Sequence, residues 1–240
     1  MGPESRKSGQ EKQRQTNIKN RINIWTTNAD VLTNEKILEL KTRLQEEQPH
    51  IIAITEVRPK NWKHEISLAQ YKLPGYNMEG INLDEDVGRG MLIYIKDTMR
   101  YNMLDLQNIV FNEAIACEIQ LQGKNTLIFC SVYRSPNSTE ENDIGLHNLL
   151  YTLSTQAQGN LVITGDFNYP NIDWDLYRNL NDTMDKEFRF LEIVKDCFLF
   201  QHVNKPTRGR GTNIPSILDL VLTDEENLLD TLEHWNMKHH

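Results

Sequence analysis

Leu161-Val162-Ile163-Thr164-Gly165-Asp166-Phe167-Asn168, LVITGDFN, is the stretch on which the fold turns. Four apolar or β-branched residues run without a break into a glycine. A continuous run of that length, bounded by Gly, suits a strand covered on both faces. Gly165 would let the backbone turn as the strand ends. Asp166 and Asn168 follow two residues apart, so in an extended chain both side chains point to one side. A carboxylate that accepts, next to an amide that donates and accepts, can position a water against a phosphate oxygen. An Asx-type turn closing a strand explains the same residues equally well.

Working outward, other apolar strands also end in polar side chains. Upstream, Arg21–Asn28 alternates Ile22 and Ile24 with polar neighbours and predicts a strand, with Asn28 and Asp30 at its end. Thr33 is placed to cap a helix running to Glu47, with Ile37, Leu40 and Leu44 on one face, and Pro49 stops it. His50–Val57 predicts a second strand, apolar until Glu56. An acid closing an apolar strand either lies at the rim of the sheet or is held by a metal or a base. Residues 58–88 read as a long surface loop with a short helix, and Arg89–Lys96 as a third strand entered through Gly88 and Gly90.

Phe111–Leu121 and Asn125–Arg134 predict a hairpin turning at Gly123-Lys124. That turn pairs Ile119 with Ile128, Cys117 with Cys130 and Ile115 with Val132. The second strand closes on Tyr133 and Arg134. Ser138-Thr139-Glu140-Glu141 is a capping box, and Leu146, Leu149, Leu150 and Leu153 form the apolar stripe of the helix it opens. Beyond LVITGDFN, a helix is expected near 183–197 with Phe190, Ile193, Val194 and Cys197 inside. The basic segment Gln201–Arg210 contains Arg208. Ser216–Thr223 is the last clear strand, with Asp219 in its middle, and an acid there needs a partner or a function.

Composition narrows the classes. At 240 residues the chain is long enough for a sizeable core. Its formal net charge of −8 disfavours a pure nucleic-acid binder, which normally carries a basic footprint. Residues 1–21 hold six Lys and Arg against two Glu, so +4 sits in the first segment and −12 in the rest. Residues 1–20, polar and without period, read as a disordered basic arm, and 21–240 as one domain. Three cysteines without CxxC spacing indicate neither a zinc site nor a disulfide framework. They suit an intracellular, reducing compartment, nuclear or cytoplasmic. No apolar run approaches the roughly 18 residues of a membrane span, and no signal peptide opens the chain.

TNAD (27–30), TE (55–56), VYRSPN (132–137), GDFN (165–168) and SILDLVLT (216–223), in this order, resemble the motifs of endonuclease/exonuclease/phosphatase domains. Within that superfamily the chain is most similar to the apurinic-type endonuclease domain of non-LTR retrotransposons. GRGMLIYIK (88–96) and QHVNKPTR (201–208) resemble the same branch. The resemblance spans roughly residues 21–230. It implies an α/β fold: a four-layer sandwich of two mostly antiparallel packed sheets flanked by helices. It implies a monomer acting on DNA, with Mg²⁺ as cofactor and Mn²⁺ able to stand in. Glu56 matches the position that holds the metal, with Asn28 and Asp30 beside it. Asp166 would orient or deprotonate the attacking water, Asn168 would help fix it, and Tyr133 would donate to the scissile phosphate. Asp219 matches the acid that orients a catalytic His. Asn28, Arg134 and Arg208 would contact substrate.

One departure accompanies the match. The family closes with a Ser-Asp-His strand, whereas this sequence reads His234-Trp235-Asn236-Met237-Lys238-His239-His240. The expectation is a missing final strand and an impaired endonuclease. The alternatives are an inactive remnant that at most binds nucleic acid, and a relative acting on a phospholipid or inositol phosphate.

Overall fold

The computed structural model describes residues 21–60, 67–83, 88–157, 160–181, 184–208 and 216–233. The basic arm, Trp62, Gly209-Arg210 and His234–His240 lie outside these residues, and with the last of them the expected loss of a final strand.

Twelve strands and three α-helices are described. In chain order they are β1 (Ile24–Asn28), α1 (Asn34–Glu46), β2 (Ile51–Thr55), β3 (Tyr76–Ile81), β4 (Met91–Lys96), β5 (Tyr101–Met103), β6 (Ala114–Gln120) and β7 (Thr126–Tyr133). Then come α2 (Glu140–Gln156), β8 (Leu161–Asp166), β9 (Ile172–Asp173), β10 (Arg178–Asn179), α3 (Lys186–Asp196), β11 (Phe200–Gln201) and β12 (Asp219–Thr223). One sheet has the order β1-β2-β4-β3 and the other β11-β12-β8-β7-β6-β5, with β9 and β10 forming a small ribbon. Each large sheet holds one parallel pair, β1 with β2 and β7 with β8, and its other pairings are antiparallel. A parallel pair needs a crossover, supplied here by α1 and by α2.

Alternation along the strands builds the layers. Ile51 and Ala53 of β2 face the second sheet, while Ile52 and Ile54 face α1. In β8, Val162 faces the first sheet and Ile163 faces α2 and α3. The result is α1, sheet, sheet, then α2 and α3: the expected four-layer α/β sandwich. Ile51, Ala53, Ile93, Ile95, Ile119 and Phe129 are wholly buried between the sheets. Complete burial of one such aliphatic side chain stabilises by roughly 1.5–3 kcal/mol.

Helix caps follow the sequence closely. Thr33 accepts from Lys36 N at the start of α1, and Asp185 accepts from Glu187 and Phe188 N at the start of α3. In α2 the cap is Thr139, which accepts from Asn142 N, rather than Ser138. Ser138 Oγ instead takes Asn142 Nδ2 at 2.9 Å.

The hairpin register differs from expectation by one residue. Ala116 pairs with Cys130 and Cys117 with Phe129, while Leu121 N bonds Asn125 O around a turn containing Gly123 at φ +77°. One residue of slip exchanges the faces of a strand. Cys117 therefore packs between the sheets and Cys130 packs toward the helices, on opposite sides. All three cysteines are free and buried. Gly165 also differs. It lies inside β8 rather than at a turn, with φ +139°, and a methyl there would collide with the Val132 carbonyl of the neighbouring strand. Asp219 begins β12 instead of sitting in its middle.

Candidate active site at the strand ends

The inter-sheet faces change character along the strands. Ile24, Ile51, Ala53, Phe129, Val162 and Val221 make the apolar floor. One alternation further on come small hydroxyls, with Thr55, Ser131 and Thr164 all buried. One further still on β1, β7 and β8 come Asn28, Tyr133 and Asp166. Asp219 faces Asp166 across the β12–β8 ladder, and Tyr133 flanks it across the β7–β8 ladder. Both parallel pairs thus end at one edge of the sandwich. Polar groups gather there, as they do at ligand sites outside the carboxyl ends of strands.

A hydrogen bond closes the two sheets over this edge. Asn28 Nδ2, at the end of β1, donates to Asp166 Oδ2, at the end of β8, at 2.9 Å. Asn28 Oδ1 accepts from Asp30 N at 2.9 Å, which curls the TNAD loop back on itself. Ala29, Val31 and Leu32 N–H groups donate to the carbonyls of Thr55, Glu56 and Val57, zipping the loops after β1 and β2 together. Lys36 of α1 reaches beneath and donates to Ala29 O at 2.6 Å. Asp30 and Glu56 are brought together by this backbone pairing.

Glu56 is 3% exposed. A carboxylate so placed needs a cation, and two arginines stand in range. Arg89 donates Nη1 to Glu56 Oε2 and Nη2 to Asp30 Oδ1, the latter at 3.1 Å. Arg208 lies farther off, with its guanidinium nitrogens 3.9 Å from Glu56 Oε1 and 3.8 Å from Asp166 Oδ2. It is fixed by a short bridge to Ser216, three residues before Asp219, and its neighbour Thr207 accepts from the Leu218 and Asp219 N–H groups.

Backbone strain concentrates here. Asp30, Val31, Glu56 and Asn168 all have positive φ, at 40°, 74°, 53° and 52°. Non-glycine residues accept that region only where surrounding structure enforces it, and such positions gather at functional sites.

Burial pushes the Asp166 carboxyl up to about 7, with Asp219 and Glu56 reinforcing it and Arg208 and Asn28 opposing. Asp219 is raised by the same crowding, again chiefly through burial, and Thr207 and Arg208 oppose the rise. Burial, then Glu56 and Asp166, hold Tyr133 well above its ordinary range, so its hydroxyl keeps its proton. Asp166 Oδ1 is buried and has no hydrogen-bond partner among the described residues.

Six of the nine expected residues, Asn28, Asp30, Glu56, Tyr133, Asp166 and Asp219, meet at this edge, and Arg208 borders it. Asn168 is adjacent but committed: its Nδ2 donates to Arg134 O at 2.7 Å. Arg134 is the correction. It is wholly buried, with Nε and Nη2 on the two Asp143 oxygens at 2.6 and 2.9 Å. Nη1 donates to Asn168 O at 3.1 Å, and the guanidinium lies over the Tyr169 ring at 4.1 Å. A guanidinium so enclosed braces the GDFN turn against α2 and has no face left for substrate. The sequence presents Arg89 only as the start of the third strand. Its signal was an arginine between two glycines, where the chain must bend before a core strand.

Among the described residues no cluster of three or more His, Cys, Asp or Glu is close enough to hold a metal. The chemistry of the donors still fits a small hard cation. Such an ion binds through one or two carboxylates and retains waters, and Glu56 and Asp30 are two hard carboxylate donors spanned by one guanidinium.

A family model described as endonuclease-reverse transcriptase matches residues 127–240. That span holds Tyr133, Asp166, Asn168, Arg208 and Asp219, but not Asn28, Asp30, Glu56 or Arg89. No curated protein matches the sequence. Among solved structures, an AP endonuclease from Leishmania major superposes with a TM-score of 0.64 at 12% identity, covering 84% of this chain and 78% of that one. The endonuclease domain of TRAS1, a telomere-specific non-LTR retrotransposon, gives 0.61 at 13%, covering 86% of each. The Xenopus laevis APE2 catalytic domain gives 0.58 at 13%, covering 86% and 83%. At such identities the likeness is one of fold, and the α/β fold that the resemblance implied is borne out.

Proposed function

We propose, for this chain of the endonuclease/exonuclease/phosphatase superfamily, a metal-dependent DNA endonuclease activity of the kind found in non-LTR retrotransposon endonuclease domains. The observation that carries the reading is the Asn28–Asp166 hydrogen bond, which joins the polar ends of two separate sheets into one acidic edge beside Glu56.

Glu56, with Asp30 and the Asn28 amide at its side, would hold the divalent ion, Mg²⁺ or Mn²⁺. When bound, such an ion offsets phosphate charge and acidifies a water. Asp166 takes the nucleophile's proton: an affinity near neutrality suits a general base. Asn28 holds one Asp166 oxygen and leaves the other to the water. Tyr133, kept protonated by burial and its acidic neighbours, donates to the phosphate. Arg208, 35% exposed at the rim, meets the incoming backbone. Asp219 keeps the Asp166 proton affinity high. DNA is the substrate this set suits, since one phosphodiester fits between a cation, a donor and a base. The three free buried thiols suit a reducing, intracellular setting.

Nicking of supercoiled plasmid tests the reading. Wild-type protein with Mg²⁺ should convert it to the open circle, and Glu56→Ala and Asp166→Asn should each abolish conversion. Wild-type protein that leaves the plasmid intact at every Mg²⁺ and Mn²⁺ concentration would establish a non-catalytic remnant instead. Cleavage of a lipid phosphodiester with none of DNA would move the substrate class.

A further inference from the structure

Arg89 stands out among the described arginines. It has 10% of its side chain exposed and spans two carboxylates that the proposed reaction assigns to a metal. Its own position is pinned. Gly88 and Gly90 on either side have φ of +59° and +69°, and a methyl at Gly90 would press into the Leu83 side chain. The Arg89 carbonyl accepts from Arg58 N at 2.7 Å, while Arg89 Nε donates back to Arg58 O at 3.1 Å. The Gly90 carbonyl accepts from Val57 N at 3.2 Å. The Gly88-Arg89-Gly90 turn is therefore stitched to the residues immediately after Glu56. The guanidinium cannot wander far from Glu56 even when it lets go.

We propose that Arg89 is a resident counter-ion of the metal-holding carboxylates, which neutralises Glu56 and Asp30 in the metal-free protein and must release Glu56 for a divalent cation to bind. The proposal rests on the reading that Glu56 holds the metal. The physical case is one of competition. Glu56 Oε2 accepts from Arg89, and a bound cation requires those same lone pairs. Without Arg89, Glu56 would be a buried charge lacking its nearest cation, a costly state that either a proton or a metal relieves. Arg89 thus keeps the folded apo form charged and preformed, and reduces cation affinity in return. On release, the stitched turn leaves its guanidinium at the site's margin, available to a phosphate oxygen.

Mn²⁺ binding measured by calorimetry and by electron paramagnetic resonance, with no DNA present, tests this. Wild type, Arg89→Gln, Arg89→Lys and Glu56→Gln are compared. Arg89→Gln should bind Mn²⁺ about tenfold tighter or more than wild type. It should melt lower than wild type without metal and gain more in melting temperature when Mn²⁺ is added. Arg89→Lys, with a single ammonium that cannot fork between two carboxylates, should fall between. If Arg89→Gln does not fold, the affinity of Arg89→Lys decides alone. Equal or weaker Mn²⁺ binding by the folded Arg89 variants overturns the proposal. The control separates two failures: unchanged binding in Glu56→Gln means that Glu56 does not hold the metal and the reaction assignment falls with it. Binding lost in Glu56→Gln but unaltered in the Arg89 variants removes Arg89 alone.

Discussion

Asp166 faces two demands that pull apart. The fold buries it against Asp219 with Glu56 nearby, and burial first, then these neighbours, raise its affinity for a proton to about 7. Its unfolded value lies near the ordinary 3.8. Between the two, the folded chain binds a proton that the unfolded chain does not, so stability drops as pH rises through about 7. Asp166→Asn removes that cost, and its amide oxygen can still accept from Asn28. The variant should therefore be more stable than wild type at pH 8 without metal, by on the order of 1 kcal/mol. The gap should narrow toward pH 5, as read by urea titration at both values. The same change should lower any nicking rate by roughly 10³-fold or more. Stability gained where activity is lost is what a group held in place for chemistry gives.

At the scale of elements, the site depends on how β7, β8 and α2 are fastened. Arg134 closes β7 by donating its backbone N–H to Asp166 O, then sends its side chain to Asp143 in the first turn of α2. Burial works against the Asp143 carboxylate, but the Arg134 hydrogen bonds outweigh it and leave its pKa below the usual range. Removing one partner of a buried pair strands the other, so Arg134→Ala should cost about 3–5 kcal/mol in chemical denaturation. Arg134→Lys, unable to reach both Asp143 oxygens, should recover only part. A direct substrate contact would instead lower DNA affinity with little change in the denaturation midpoint. Gly165→Ala should cost at least about 2 kcal/mol, because the added methyl meets the Val132 carbonyl and φ of +139° suits only glycine. Thermal melting compared with Gly123→Ala, whose methyl meets open space, isolates the collision from the backbone effect. These features mark where sequence reasoning ran short. Caps and apolar stripes were legible because Thr33, Leu146, Leu149, Leu150 and Leu153 act within a few residues of themselves. LVITGDFN and HIIAITEV were legible as buried strands because both faces had to be apolar. The Tyr76–Ile81 edge strand was not, since only the β4 side is paired and its residues are mostly half-exposed. The hairpin register was misjudged because a three-residue turn and a two-residue turn read alike from Gly123. Arg134 was misassigned because its partner Asp143 is nine residues on, in a helix whose placement no local pattern gives.

For the molecule as a whole, protonation sets opposing demands. His50, His147 and His202 sit in three separate places: before β2, on α2 and after β11. All three are held below the ordinary 6.5, in each case chiefly by burial, with Lys96 adding to the effect at His50. At His50 the geometry agrees, because Asn23 N donates to Nδ1 at 3.0 Å and so requires that nitrogen bare. A histidine whose folded value is depressed resists a proton that the unfolded chain accepts, so stability falls as pH drops below about 6.5. Asp166 and Asp219 have the opposite sign: raised in the fold, they destabilise as pH climbs through neutrality. Together they oppose each other below neutrality, the histidines favouring higher pH and the two acids lower pH, and both effects level off by about pH 8. Each histidine is only about half-buried, so each contributes modestly. His50→Asn should gain stability relative to wild type as pH is lowered from 8 to 5, whereas Asp166→Asn should gain it as pH is raised from 5 to 8. Urea midpoints from pH 5 to 8 for the wild type and both variants read this directly. If the two substitutions changed the pH slope in the same direction, the acidic edge would not be the group that the fold holds under strain.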